Sequence, residues 1–161
     1  MMDNEEVINL FYTSFKNRDF ATMQACYADN ATFSDEAFVN LDAHQTRAMW
    51  EMLIRRGKDI QITFGDIVIR GNKGTAKWEA IYTFSATKRM VHNKIKAEFV
   101  FENGKIVKHR DSFSLFRWAQ QVYGFMGWVV GWTPFFRMKL QKTAKKSLDE
   151  FMKKNYLTGT M

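Results

Sequence analysis

From Thr75 to Phe113 apolar and polar residues alternate with period two over almost forty positions. Rings spaced this way would scatter around a helix axis, but they collect on one face of an extended chain. The segment therefore reads as three successive strands, Thr75 to Thr87, Val91 to Phe101 and Ile106 to Phe113. One face carries Trp78, Tyr82, Phe84, Asn93, Phe99, His109, Asp111 and Phe113. An aromatic wall that includes a carboxylate, an imidazole and an amide suits the lining of a pocket better than a dry core.

The flanking sequence supplies helices. Asp3 and Glu6 form a capping-box pattern before Val7, Ile8, Phe11, Tyr12 and Phe15, which recur at helical spacing. Asn17-Arg18-Asp19 breaks that helix, and Asp19 can cap a short second one. Asp29-Asn30 is a turn signal, Ala31 to Ser34 a short strand, and Asp35 a turn-forming aspartate. Asp42 caps a third helix, which Gly57 ends in a left-handed conformation. Ile60, Ile62 and Phe64 then alternate, and the phase slips at Gly65-Asp66, the mark of a β-bulge. Gly71 to Gly74 and Asn103-Gly104 are hairpin turns. Leu115 to Tyr123 can be helical. Gly124, Gly127 and Gly131 interrupt the next stretch, and Thr133-Pro134 starts a last helix with Phe136, Leu140, Ala144, Leu148 and Phe151 on one stripe.

Composition narrows the classes. The 161 residues fit one domain, 16% of them aromatic. Cys26 is the single cysteine, which fits a reducing compartment. The acidic start, MMDNEEV, lacks the order of a signal peptide, and no run approaches the roughly 20 apolar residues of a membrane span. A cytoplasmic protein is expected. The net charge of +7 is concentrated near the end, at Arg137, Lys139, Lys142, Lys145, Lys146, Lys153 and Lys154. Such a run is usually a solvated helix face, and the aromatics follow strand alternation rather than joining the basic residues, so nucleic acid is not expected. The three histidines, His44, His92 and His109, are scattered, with no metal-ligand spacing, no phosphate loop and no nucleophile elbow. No metal and no cofactor are expected.

The order helix, short helix, strand, helix and long hairpins resembles the nuclear transport factor two-like superfamily and its SnoaL-like group. That group shares the fold of ketosteroid isomerase, scytalone dehydratase, limonene epoxide hydrolase and polyketide cyclases. The stretches that carry the resemblance are FYTSFKNRDFATM (11–23), YADNATFSD (27–35), WEAIYTF (78–84) and FVFENGKIVKHRD (99–111). It implies an α+β fold: a cone-shaped, curved antiparallel sheet packed around N-terminal helices, a cystatin-like barrel. Residues 1–161 would form a single SnoaL-like domain with its core over about 5–115 and a C-terminal helical extension over 116–161. It further implies a carboxylate on the last strand as general acid/base, a position that Asp111 matches, and a tyrosine such as Tyr82 as hydrogen-bond donor.

His109 and Asp111 share a face roughly 6.5 to 7 Å apart along a straight strand, too far for direct contact but within reach of one small molecule. The expected catalytic set is Asp111, His109 and Tyr82. Tyr12, Tyr27, Trp78, Phe84, Asn93, Phe99 and Phe113 are the expected ligand wall. The structural alternatives stay open. Asp111 would pair with Arg110, Arg117 or a lysine, and His109 would cap a backbone carbonyl. The sequence does not decide whether the chain is an enzyme, a cofactor-free isomerase, cyclase, dehydratase or epoxide hydrolase, or a non-catalytic binding module. The expected partners are a small apolar, polyketide- or steroid-like ligand and a second copy in a homodimer. The glycine-interrupted segment 124–136 ranks first as a lid or dimer contact, and membrane-surface contact ranks below both.

Overall fold

The computed structural model describes residues 1–157. Helices α1 (Asn4–Lys16) and α2 (Phe20–Ala25) lead into strand β1 (Tyr27–Ser34), helix α3 (Ala43–Arg56) and strands β2 (Gln61–Arg70), β3 (Lys73–Phe84), β4 (Arg89–Glu102) and β5 (Lys105–Ser112). Helices α4 (Leu115–Tyr123), α5 (Phe125–Val130) and α6 (Pro134–Met152) come next, and a single π-helical turn covers Lys153–Leu157. The starts are set locally. Asp3 and Asp42 each accept from the backbone N–H three residues on, while Glu6 and Gln45 reach back to the cap, so both capping boxes close. Thr133 caps α6 with Pro134 at its first position.

The five strands form one curved, unclosed sheet in the order β1-β5-β4-β3-β2. Its concave face buries Ala76, Trp78, Ala97, Phe99 and His109 against Val7, Ile8, Phe11, Tyr12 and Phe15 of α1 and Met49 and Trp50 of α3. The register of β2 on β3 slips between Gly65 and Val68, and Asp66 is left-handed there, which is the bulge that the phase slip predicts. Asn103 and Gly104 both have positive φ, as a two-residue hairpin requires.

Three local expectations change. β1 pairs with β5 in parallel, so the sheet is not wholly antiparallel. No hairpin joins these strands: α3 and β2 to β4 lie between them in the chain, so a tight turn does not dictate an antiparallel pairing. β1 also starts at Tyr27 and not at Ala31, with Asp29 and Asn30 absorbed in a register shift between Tyr27 and Thr32. Gly57 has φ −84°, which is not left-handed. It is small for another reason: a Cβ there would stand 2.9 Å from the Leu53 carbonyl oxygen.

The C-terminal segment breaks into three helices at its glycines. α4 lies on β4 and forms a second core with Val91, Leu115, Trp118, Ala119 and Val122. α6 crosses back to α3, and Leu148 and Phe151 join the main core. Gly127 permits the joint between α4 and α5, because a Cβ at that position would fall 1.9 Å from the Ala119 carbonyl oxygen. Gly127→Ala should therefore push the two helices apart and lower stability by about 1–3 kcal/mol. Gly65→Ala, where nothing lies within 4 Å of the added carbon, should stay within about 0.5 kcal/mol of the parent. Thermal melting followed by circular dichroism compares the two.

Candidate functional site

The site is built by strand pairing. Phe99 faces His109 and Ala97 faces Asp111 across β4 and β5, while on the other side Phe33 and Ser34 of β1 face His109 and Arg110. β1 ends at Ser34, opposite Arg110, and Asp35 follows in the turn, where the charge of Asp111 acts on its carboxyl.

The polar groups form a chain. Trp50 Nε1 donates to Tyr27 Oη (2.8 Å), Tyr27 Oη meets His109 Nδ1 (2.7 Å), and His109 Nε2 meets Asp111 Oδ1 (2.9 Å). Trp78 Nε1 approaches the same Oδ1 at 3.5 Å. With a neutral imidazole the donors available set one direction. An indole N–H can only donate, so Tyr27 accepts from Trp50 and gives its own proton to Nδ1. Nε2 then carries the imidazole proton and donates to Asp111. This assignment leaves no member of the chain unpaired. Among the described residues Asp111 Oδ2 receives no hydrogen bond, and both donors reach Oδ1.

The direct contact between His109 and Asp111 corrects the expectation drawn from strand spacing. Cα separation fixes the backbone distance, but both side chains lean along the strand, and the imidazole spans the gap. The structural alternatives for the two residues also change. Among the described residues Asp111 pairs with His109 and with no arginine or lysine, and His109 bonds a phenol and a carboxylate rather than a backbone carbonyl.

Asp35 is the turn former that its sequence context predicts: Oδ1 accepts from the N–H groups of Ala37 and Phe38 (2.7 and 2.6 Å). It is also a second acid at the site. The residue keeps some exposure at the rim, but its carboxyl is enclosed. Burial pushes that carboxyl up to about 7, against the two backbone hydrogen bonds and with help from the charges of Asp111 and Glu36. Sequence reasoning misses this role, because a turn aspartate and a buried acid look identical until β1 is paired with β5.

The aromatic residues divide into two groups. Around His109 the rings of Phe11, Tyr27, Phe33, Trp50 and Phe99 stand with centroids 4.3 to 6.1 Å away, so this end of the cone is filled. Tyr12 stacks on Phe64, and its hydroxyl is buried with no hydrogen-bond partner. Burial first, then the charges of Asp111 and Tyr27, holds that phenol well above its usual range. At the other end Tyr82, Phe84 and Phe113 are only partly buried and meet the α4 core, and Asn93 sits half-buried opposite Ala80. Tyr82 Oη accepts from Trp118 Nε1 (2.8 Å), which leaves its own proton free to donate. Burial raises its phenol, the Trp118 bond opposes this, and Asp35 adds to it.

Two other features lie apart. An open cleft of about 640 Å³ sits where β1 and β5 splay, at the opposite end of β5 from Asp111. Its lining includes Asp29, Arg47 and Lys105 but neither His109 nor Asp111. Cys26 is buried, and its thiol is pushed up to about 11 by burial, partly offset by Lys105, so it is a poor nucleophile. Among the described residues no group of three His, Cys, Asp or Glu side chains could hold a metal ion.

Known structures share this fold. The chain is similar to an epoxide hydrolase of the limonene-epoxide-hydrolase-like type from M. tuberculosis at 17% identity, with 78% of this chain and 93% of the other covered and a TM-score of 0.63. It is similar to IdmH, a putative polyketide cyclase from Streptomyces antibioticus, at 18% identity, with 75% and 99% covered and a TM-score of 0.63. It is also similar to a hypothetical protein with a ketosteroid isomerase-like fold from Catenulispora acidiphila, solved with trimethylamine, at 11% identity, with 74% and 94% covered and a TM-score of 0.64. At these identities the likeness concerns the fold. No curated protein matches the chain. The model of the SnoaL-like domain matches residues 8–109, which hold the first helices, the whole sheet up to His109 and the polar chain as far as the imidazole, and the chain therefore belongs to the SnoaL-like family.

Proposed function

We infer that the chain takes up a small, largely apolar, oxygenated molecule and moves a proton on it, without a cofactor, with Asp111 as base. One observation carries this reading: the buried hydrogen-bond chain ends on Oδ1 of Asp111 and leaves Oδ2 without a hydrogen bond among the described residues, while the enclosed Asp35 carboxyl, pushed up to about 7, feels the charge of Asp111. A base needs a held carboxylate with a free oxygen, and a proton donor works best with a pKa near the working pH. Asp111 and Asp35 supply the two. Tyr82 is a candidate to polarise a substrate oxygen. His109 uses both ring nitrogens on protein partners, so it serves as a positioning residue. Isomerisation, cyclisation, dehydration and water addition all fit this arrangement, and the structures similar in fold include an epoxide hydrolase and a putative polyketide cyclase.

A second reading has its own observation in favour. Trp50, Tyr27, His109 and Asp111 satisfy one another within a packed aromatic shell, as a purely structural network in a binding module would. Tyr12 separates the readings. A buried hydroxyl without a partner costs roughly 1–3 kcal/mol, so Tyr12→Phe should raise the melting temperature of the free protein. If a ligand oxygen is the missing partner, the same change should weaken ligand binding by about tenfold, one hydrogen bond's worth. Affinity unchanged in Tyr12→Phe would remove that residue from the site.

For the base, a panel of oxygenated terpenoid, steroid-like and polyketide-like compounds is the test. Asp111→Asn should abolish turnover of any compound the parent converts and leave its binding largely intact; equal turnover would exclude the role.

Asp35 makes a prediction about pH. Its native value of about 7 lies above the ordinary 3.8, so the folded state keeps a proton that the unfolded chain has lost. Stability should fall as pH rises from about 4 to about 7 and then level off. Asp35→Asn retains the oxygen that accepts from Ala37 and Phe38, and it should flatten that slope. Its melting temperature should exceed the parent's above pH 7 and match it near pH 4, as read by calorimetry across that range.

A further inference from the structure

The proton-transfer site leaves one large surface unused. Phe125, Trp128, Trp132, Phe135 and Met138 are 78, 61, 71, 74 and 68% exposed. They are held outward by packing on the opposite side, where Gly127 is buried and Gly131 would place a Cβ 2.7 Å from that of Ala119. The aromatics of this knuckle thus do not close over the cone as a lid would. A folded chain rarely presents so many large apolar side chains together unless something covers them.

Charge identifies the cover. From Ser112 to Leu148 the sequence contains no acidic residue and six basic ones, Arg117, Arg137, Lys139, Lys142, Lys145 and Lys146. Arg137 is engaged by Glu36, but the four lysines are exposed and form no ion pair among the described residues. Arg89 adds a further cation at the base of the knuckle, with its guanidinium 3.3 Å from where a Cβ on Gly124 would lie. On α6 the spacing continues the apolar stripe into the basic one, since Trp132, Phe135, Met138, Lys142 and Lys145 recur at intervals of three, three, four and three. A second copy of the chain docked on this face about a two-fold axis would bring these cations against their own equivalents, with no acid on the patch to pair with them. A bilayer rich in anionic phospholipid satisfies both halves: its headgroup boundary takes indole and phenyl rings, and its phosphates take the lysines. No described helix is long and apolar enough to cross a membrane, so the contact is interfacial.

We propose that α5 and the start of α6 dock this protein on the surface of anionic phospholipid bilayers. The docking stands whether or not Asp111 acts as a base. Flotation of the full chain with phosphatidylcholine vesicles, alone or mixed with phosphatidylglycerol, tests it. Flotation with the mixed vesicles only, reversed by high salt, is the expected result. Trp128→Ala combined with Trp132→Ala should reduce the bound fraction about tenfold or more, the loss of two interfacial anchors. Lys142→Glu combined with Lys145→Glu should remove the preference for anionic lipid. All four side chains are exposed, so both variants should melt like the parent. Failure to float with either vesicle, or flotation indifferent to the tryptophan replacements, would overturn the proposal. So would a parent that sediments as a dimer and a tryptophan variant that sediments as a monomer, because the face would then belong to a second copy.

Discussion

The imidazole of His109 holds the interior of this cone in register. Its two nitrogens tie a phenol from the edge strand β1 to a carboxylate on β5, and the phenol is tied in turn to an indole on α3. Three elements remote in sequence are fixed by one ring. A buried polar chain of this kind is favourable only when every member is paired, since each orphaned group carries its full desolvation cost. The shell of Phe11, Phe33, Trp50 and Phe99 raises that cost by excluding water. The same shell leaves the members of the chain to pair with one another.

The parallel pairing of β1 with β5 has a consequence for chemistry. It ends at Ser34, opposite Arg110, and the turn that follows holds Asp35 where the charge of Asp111 adds to the effect of burial on its carboxyl. Their environments differ. Asp111 accepts two side-chain donors on one oxygen, whereas Asp35 accepts two backbone N–H groups and is still pushed up to about 7. Burial is the first cause of the Asp35 shift, and buried acids shifted in this way are found at functional sites as well as in structural networks.

The C-terminal helices serve two faces at once. α4 lies on β4, and Trp118 reaches Tyr82 from it. Gly127 brings α5 against α4 so closely that any side chain would intrude, and this contact turns the aromatic residues of α5 outward. Small residues inside and large rings outside invert the usual arrangement of a surface helix. The proposed docking on an anionic bilayer makes use of this inversion.

Much of the architecture was legible in the sequence because it rests on local rules. Period-two alternation set the three long strands and their inner face, Asp3, Asp42 and Thr133 marked helix starts by the chemistry of capping, and Gly65-Asp66 marked the bulge by a phase slip. The inward positions of His109 and Asp111 came from the same alternation. Contacts between segments could not be read this way. Nothing local distinguishes Asp35 as a turn former from Asp35 as an acid, orients β1 parallel to β5, or bends two side chains on one strand into contact. Nor does alternation tell a filled cone from a hollow one, because both bury the same positions. Local chemistry is enough to assign most extended and helical stretches and the face each presents, since backbone sterics and nearest-neighbour hydrogen bonds act over a few residues. Tertiary structure alone decided which of those faces meet, since desolvation and hydrogen-bond pairing depend on groups that the chain brings together from distant positions.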